Sequence, residues 1–420
     1  VTPEEAAFPR HRLANGLTVI GQPMTTVGSA AVGILVPAGS RHEDAPVPAG
    51  ATHFLTSLAF QGTRHRDAHA LTDAFEEIGA RHDASAEPEF SWYTATVVGR
   101  HLRAALEVLT DVARYPAFPA DEVAKVRGRI LQEIAVQEDE PARKALSLLR
   151  PACFGDHPLG RPLLGTPAAV REATVDDLAA YWTARYTAGA AIIAVAGRFD
   201  FEAICRAVEE LCGDWPAGEP RLPLPPAQFH PGVQSVYRAT SQQHIAMAMP
   251  GLPADHPDTY VASVLGLVFG GSMNSRLFTE VREKRGLAYS VSASHSAMEG
   301  TGSFRVYAGT TPERAHESVA VILAEARRLA EHGITPDELA RAKTKLKSTV
   351  VMAGESTAAR RRVLASSWWY RGHVRTLDEV RQQIDGVDQD RVLALARSLA
   401  LGETVTLVSV GPRTDLVADA

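Results

Sequence analysis

Apolar positions along this chain recur with two periods, about 3.6 and 2, and the two alternate in a repeating order. Val123, Val126, Ile130 and Ile134 fall three or four apart and mark a helix with one buried stripe. Amphipathic helices are predicted over Leu71 to Gly79 and Ser275 to Lys284, and longer helical stretches over about 101–114 and 312–331. Strand patterns occupy Ser91 to Val98 and Gly302 to Tyr307, and Tyr93 to Val98 alternates as a candidate edge strand. Further strands at Leu17 to Ile20, Ala191 to Ala196 and Val405 to Val410 sit near the ends of each half. Neighbouring β-runs with helices grouped apart predict an α+β fold.

The order of elements occurs twice. Phe60-Gln61-Gly62-Thr63 is matched by Phe269-Gly270-Gly271-Ser272, and each is followed by a helix, a strand and a long helix. Each series ends in a helix start with acids in its first turn, Pro119-Ala120-Asp121-Glu122 and Thr335-Pro336-Asp337-Glu338. A period of roughly 210 residues is too long for a solenoid and predicts a duplicated domain. Between the copies, Asp214 to Pro226 is so dense in proline that neither a helix nor a central strand can run through it. The expected organisation is two domains, 1–213 and 232–420, joined by a Pro-rich linker at 214–231. The chain's 420 residues accommodate both.

Composition narrows the functional classes. Hydrophobic residues at 45% and charged residues at 22% fit a globular protein. A net charge of −6 leaves no basic footprint, so nucleic acid is not an expected partner. No apolar run approaches the roughly 20 residues that span a membrane. Cys153, Cys205 and Cys212 are odd in number and lack C-x-x-C spacing. That argues against a disulfide framework and a cysteine zinc site, and fits a reducing, cytoplasmic setting. The acidic start, Val1-Thr2-Pro3-Glu4-Glu5, does not read as a signal peptide.

The candidate chemistry begins at Gly50-Ala51-Thr52-His53-Phe54-Leu55-Thr56-Ser57-Leu58. This segment resembles the inverted zincin helix, His-x-x-Glu-His, of the M16 (pitrilysin, insulinase, mitochondrial processing peptidase) family. There, two histidines four apart bind zinc and the glutamate between them is the general base. Here His53 keeps the first position, Thr56 replaces the base and Ser57 replaces the second histidine. The family's third ligand, a glutamate about 75 residues on, is matched by Glu133, while the acid one helical step upstream is matched by Val126. Arg12 to Val19, Gly155 to Thr166 and Gly270 to Phe278 also look like family segments. The likeness covers nearly the whole chain and is strongest to short bacterial two-domain members. It implies two homologous domains, each an antiparallel-rich sheet with helices packed against it.

A second motif is intact. In Val281-Arg282-Glu283-Lys284-Arg285-Gly286-Leu287-Ala288-Tyr289, the arginine stands seven positions before the tyrosine. This resembles the family's Arg/Tyr pair, in which the tyrosine donates to the oxyanion and the arginine holds a substrate carbonyl. The resemblance implies that Arg282 and Tyr289 bind substrate. It implies no catalytic set and no metal in this chain alone, and a heterodimer with an HxxEH-bearing subunit that holds Zn²⁺ and cleaves peptides. Two other readings stand beside it. One is a scaffold like the respiratory core proteins. The other is a homodimeric enzyme with a displaced metal site at His53, Glu133 or the pair His65 and His69, which lie four apart.

Overall fold

The strand and helix patterns of the first half are realised in the computed structural model, which describes residues 7–218 and 225–418. Strands β1 (Arg10–Arg12), β2 (Thr18–Pro23) and β3 (Ser29–Val36) precede helices α1 (Ala51–Leu58) and α2 (Ala68–Glu77) and the hairpin β4 (Arg81–Ala86) and β5 (Ser91–Val98). Helices α3 (Leu102–Arg114), α4 (Ala120–Asp139), α5 (Pro141–Phe154), α6 (Pro167–Glu172) and α7 (Val175–Arg185) lead to β6 (Ile192–Gly197) and α8 (Phe201–Cys212). The second half opens with β7 (Gly232–Tyr237), β8 (Gln243–Gly251) and α9 (Thr259–Phe269). A π-helical turn (Phe278–Lys284), β9 (Ala288–Met298), β10 (Thr301–Thr310) and α10 (Ala315–His332) follow. Helices α11 (Pro336–Glu355), α12 (Thr357–Arg371), α13 (Leu377–Asp385) and α14 (Gln389–Ser398) and strand β11 (Thr406–Gly411) complete it.

Apart from the additional edge strand β1 of the first, both sheets carry the same order, as a duplication requires. The first runs β1-β2-β6-β3-β5-β4 and the second β7-β11-β8-β10-β9. In each, one parallel pair (β2 with β6, β7 with β11) borders an antiparallel remainder. The correspondence reaches single dihedrals: the turn before β4 holds Gly79 at φ +60°, and the turn before β9 holds Gly286 at φ +59°. Two expectations are corrected. The segment Tyr93 to Val98 belongs to β5, which lies between β3 and β4 and is not an edge. Its Trp92, Tyr93, Ala95 and Val97 are buried, while the true edge β4 exposes Arg81, His82 and Asp83, which blunt it. The helix expected over Ser275 to Lys284 is present from Arg276, but from Phe278 it is π-helical, a geometry frequent at functional sites.

The compact units differ from the sequence halves 1–213 and 232–420. One comprises 1–134, 161–225 and 352–376, the other 135–160, 226–351 and 377–420. Each therefore takes a helix encoded in the other half. The reason lies in the strands: β3, β6 and β11 are apolar and buried along nearly their whole length, so both faces of each sheet need cover. On the first sheet, Leu364, Ala365 and Trp369 of α12 pack against Leu35, Trp92, Ile192 and Ala194. On the second, Ala145, Leu149, Cys153 and Phe154 of α5 pack against Ala246, Ala248, Val408 and Val410. The middle of the expected linker, 219–224, and the acidic start Val1 to Glu5 lie outside the described residues.

All three cysteines are free, and burial pushes their thiols up, Cys153 and Cys205 to about 11 and Cys212 to about 12. No helix among the described residues is long and apolar enough to cross a membrane.

Candidate functional site

Helix α1 starts at Gly50, which has no side chain to cap it, and its first donors are met from outside. Buried Glu43 accepts the Gly50 N–H at Oε2 and the Thr52 N–H at Oε1, both at 2.8 Å. Sequence reasoning missed this residue, because nothing in its neighbourhood marks an acid that turns back to a helix start. Burial pushes the Glu43 carboxyl up to about 7, against the two backbone donors that pull it down. Between the ordinary value of 4.5 and about 7, the folded protein therefore holds a proton that the unfolded chain releases. Stability at this group falls as pH rises through that window, by on the order of 2–3 kcal/mol from about pH 5 to 8. Denaturant unfolding should show wild type losing about that much more than Glu43→Gln over that range. Equal losses would contradict the assignment.

One turn along α1, His53 Nε2 lies 2.8 Å from Glu133 Oε2 of α4. The two positions that survive from the metal motif are thus brought together. Glu133 Oε1 also faces Arg129 Nε at 3.8 Å, and Arg129 Nη2 donates to the Ser57 carbonyl at 2.9 Å. The buried Thr56 hydroxyl turns back on its own helix, to the Thr52 and His53 carbonyls at 3.2 and 3.1 Å. Val126 is buried in the α4 stripe with Val123, Ile130 and Ile134. Among the described residues no group of three or more His, Cys, Asp or Glu side chains is arranged to hold a metal ion. His65 and His69 do not converge: His65 Nδ1 contacts buried Asp111 at 2.6 Å, and exposed His69 pairs with Asp73 at 2.8 Å.

The second candidate pair lies in the other compact unit. Arg282 sits in the π-helical turn, exposed, with its guanidinium 4.8 Å from the centre of the Phe278 ring. It has no carboxylate partner among the described residues. Tyr289 is 50% exposed, and its hydroxyl donates to Gln242 Oε1 at 2.7 Å. Its placement comes from an irregularity in β9. Ser290 pairs with Gly309 and Ala288 with Thr310, so Tyr289 is the extra residue of a β-bulge. In the first unit, the positions at the same distance from the turn glycine are Phe75 and His82. There β4 keeps its register and the two rings stack at 4.0 Å. One duplicated frame thus holds a closed aromatic contact in one copy and an exposed Arg/Tyr pair in the other.

Comparison with known proteins agrees with this architecture. Residues 19–167 match the model of the insulinase family, peptidase family M16, and residues 172–346 match that of the peptidase M16 inactive domain. A Streptomyces coelicolor protein named as an uncharacterized zinc protease is 35% identical over 414 residues, covering 97% of this chain and 90% of that protein. The Bacillus subtilis uncharacterized zinc protease YmxG is 33% identical over 403 residues, covering 96% and 98%. Among solved structures, a peptidase M16 inactive domain from Pseudomonas fluorescens superposes with TM-score 0.91 at 22% identity, covering 98% of this chain and 99% of its own. A protease from Helicobacter pylori gives 0.87 at 19% identity, covering 96% and 99%. At such identities these two establish the fold alone.

Proposed function

This chain belongs to the M16 peptidase family, and we propose that it is the zinc-less subunit of a two-chain M16 zinc endopeptidase, lending Arg282 and Tyr289 to a partner that holds the metal. Its C-terminal domain is of the family's inactive type. The observation that carries the reading is the donor set on α1. Catalytic zinc takes three protein ligands and a water. Here His53 and Glu133 supply two donors, already hydrogen-bonded to each other. Serine at 57 is a poor ligand, and the Thr56 hydroxyl has no useful basicity at neutral pH. These residues do not fit catalytic zinc.

What remains is suited to binding. A tyrosine hydroxyl aimed at the oxygen of a scissile carbonyl stabilises the charge that develops there, and a guanidinium without a competing carboxylate can hold a second substrate carbonyl. Both contacts read peptide backbone, so the substrate class is an extended peptide and the two residues impose no side-chain preference. The zinc protease name belongs to the relatives; on this reading the activity reaches the present chain only through its partner.

The test is to mix the purified chain with an HxxEH-bearing M16 relative from the same cell. Stable association and a raised rate of peptide cleavage are expected. Absence of both would sink the proposal. Association without any change in rate would favour a scaffold.

A further inference from the structure

The bulge leaves open what keeps the Tyr289 ring in one orientation once it has left the strand's regular path. Three features of neighbouring strands converge on it. Gly309 of β10 lies directly beneath the ring: a Cβ there would come within 2.5 Å of Tyr289 Cζ, so a side chain at this position would push the end of the ring off its bed. Gln242, just before β8, places its carboxamide oxygen 2.7 Å from the Tyr289 hydroxyl. Tyr307, two residues before Gly309 and on the same face of β10, is held by His244 Nδ1 at 2.8 Å. Burial and then the neighbouring Tyr289 phenol push the Tyr307 phenol well up, which keeps it neutral beside the ring. His244 pairs with Gly309 across the strands, so these groups share one face of the sheet.

We propose that Gly309, Gln242 and Tyr307 are positioning residues that preorganise Tyr289, with the Gln242 carboxamide oxygen occupying the place of the substrate oxygen that the tyrosine hydroxyl serves. The catalytic consequence rests on the accessory-subunit reading; the orientation of the ring does not. A hydroxyl held at 2.7 Å from an acceptor in the resting protein needs no reorientation when a carbonyl oxygen replaces that acceptor. Gly309 matters through shape and Gln242 through direction, so the two should fail differently. Tyr307, itself fixed by His244, flanks the ring on that face and interacts with the Tyr289 hydroxyl through its own phenol.

The first arm needs only the full chain. Ring-labelled tyrosine is followed by NMR in wild type, Gly309→Ala, Gln242→Leu and Gln242→Glu. The Tyr289 ring signals, assigned by their loss in Tyr289→Phe, should move in Gly309→Ala and Gln242→Leu. They should remain near the wild-type position in Gln242→Glu, which keeps an acceptor oxygen at the same reach. A double-mutant comparison guards against simple misfolding: Gly309→Ala should lower Tm in the Tyr289 background and leave it nearly unchanged in the Tyr289→Ala background. In the assembled peptidase, Gln242→Leu should lower kcat about 10-fold with KM held, and Gln242→Glu should restore most of it. Unmoved ring signals would overturn the proposal, as would moved signals with an unchanged kcat. A chain that assembles with no partner would defeat the accessory reading, and the ring signals would still decide the orientation.

Discussion

Tyr289→Phe should lower the turnover of the proposed two-chain peptidase by roughly 10²–10³-fold while leaving assembly intact, since one oxyanion donor is typically worth that much. The structural cost should be small. The side chain is half exposed, and the deleted hydroxyl donates to Gln242 Oε1, itself on an exposed residue, with the Tyr307 phenol as its other polar neighbour among the described residues. Loss of turnover with unchanged Tm and unchanged association would place the hydroxyl at the reacting carbonyl. Arg282→Ala should act differently: a carbonyl held in both ground and transition states contributes uniform binding, so KM should rise more than kcat falls. A scaffold would tolerate both substitutions. Steady-state rates on a fluorogenic peptide, with sedimentation of the mixture, separate these outcomes.

Ser57→His should turn the chain into a zinc-binding protein. Position 57 lies four residues after His53 on α1, hence on the same helical face, and Glu133 Oε2 already reaches to within 2.8 Å of the His53 ring. An imidazole there completes the His, His, Glu set that three-ligand catalytic sites use, and should raise zinc affinity well above that of the wild type. Hydrolysis should not follow, because Thr56 still cannot accept a proton from water. Only Thr56→Glu together with Ser57→His should give cleavage by the chain alone. Metal analysis of purified variants, with circular dichroism to establish folding, decides the matter. A folded Ser57→His chain that takes up no more zinc than wild type would show that α1 and α4 are not arranged as a degenerate metal site.

Much of this fold can be read from the sequence. Duplication appeared as paired segments such as Phe60-Gln61-Gly62 and Phe269-Gly270-Gly271, and the strand orders of the two sheets repeat it. Strands β5 and β6 fall where alternation and apolar runs put them. Three things were not legible. That α5 and α12 cover the sheet of the other half depends on which faces remain bare, which is a property of the assembled sheet and not of any window of sequence. That β5 is interior depends on β4, whose Arg81, His82 and Asp83 resemble a loop more than a strand. At the candidate sites, the resemblance to the M16 motifs pointed to His53, Glu133, Arg282 and Tyr289. It was blind to Glu43 and Gln242, which act through folding back, and to the single-residue bulge that turns Tyr289 outward.

The central question is where water is activated. The direct measurement is zinc content and peptide cleavage by the purified chain, first alone and then mixed with a zinc-bearing M16 relative from the same cell. Alone, the chain should carry well under one zinc per molecule and cleave nothing above background; mixed, it should raise the relative's rate. Near-stoichiometric zinc together with cleavage by the chain alone would contradict the accessory-subunit reading.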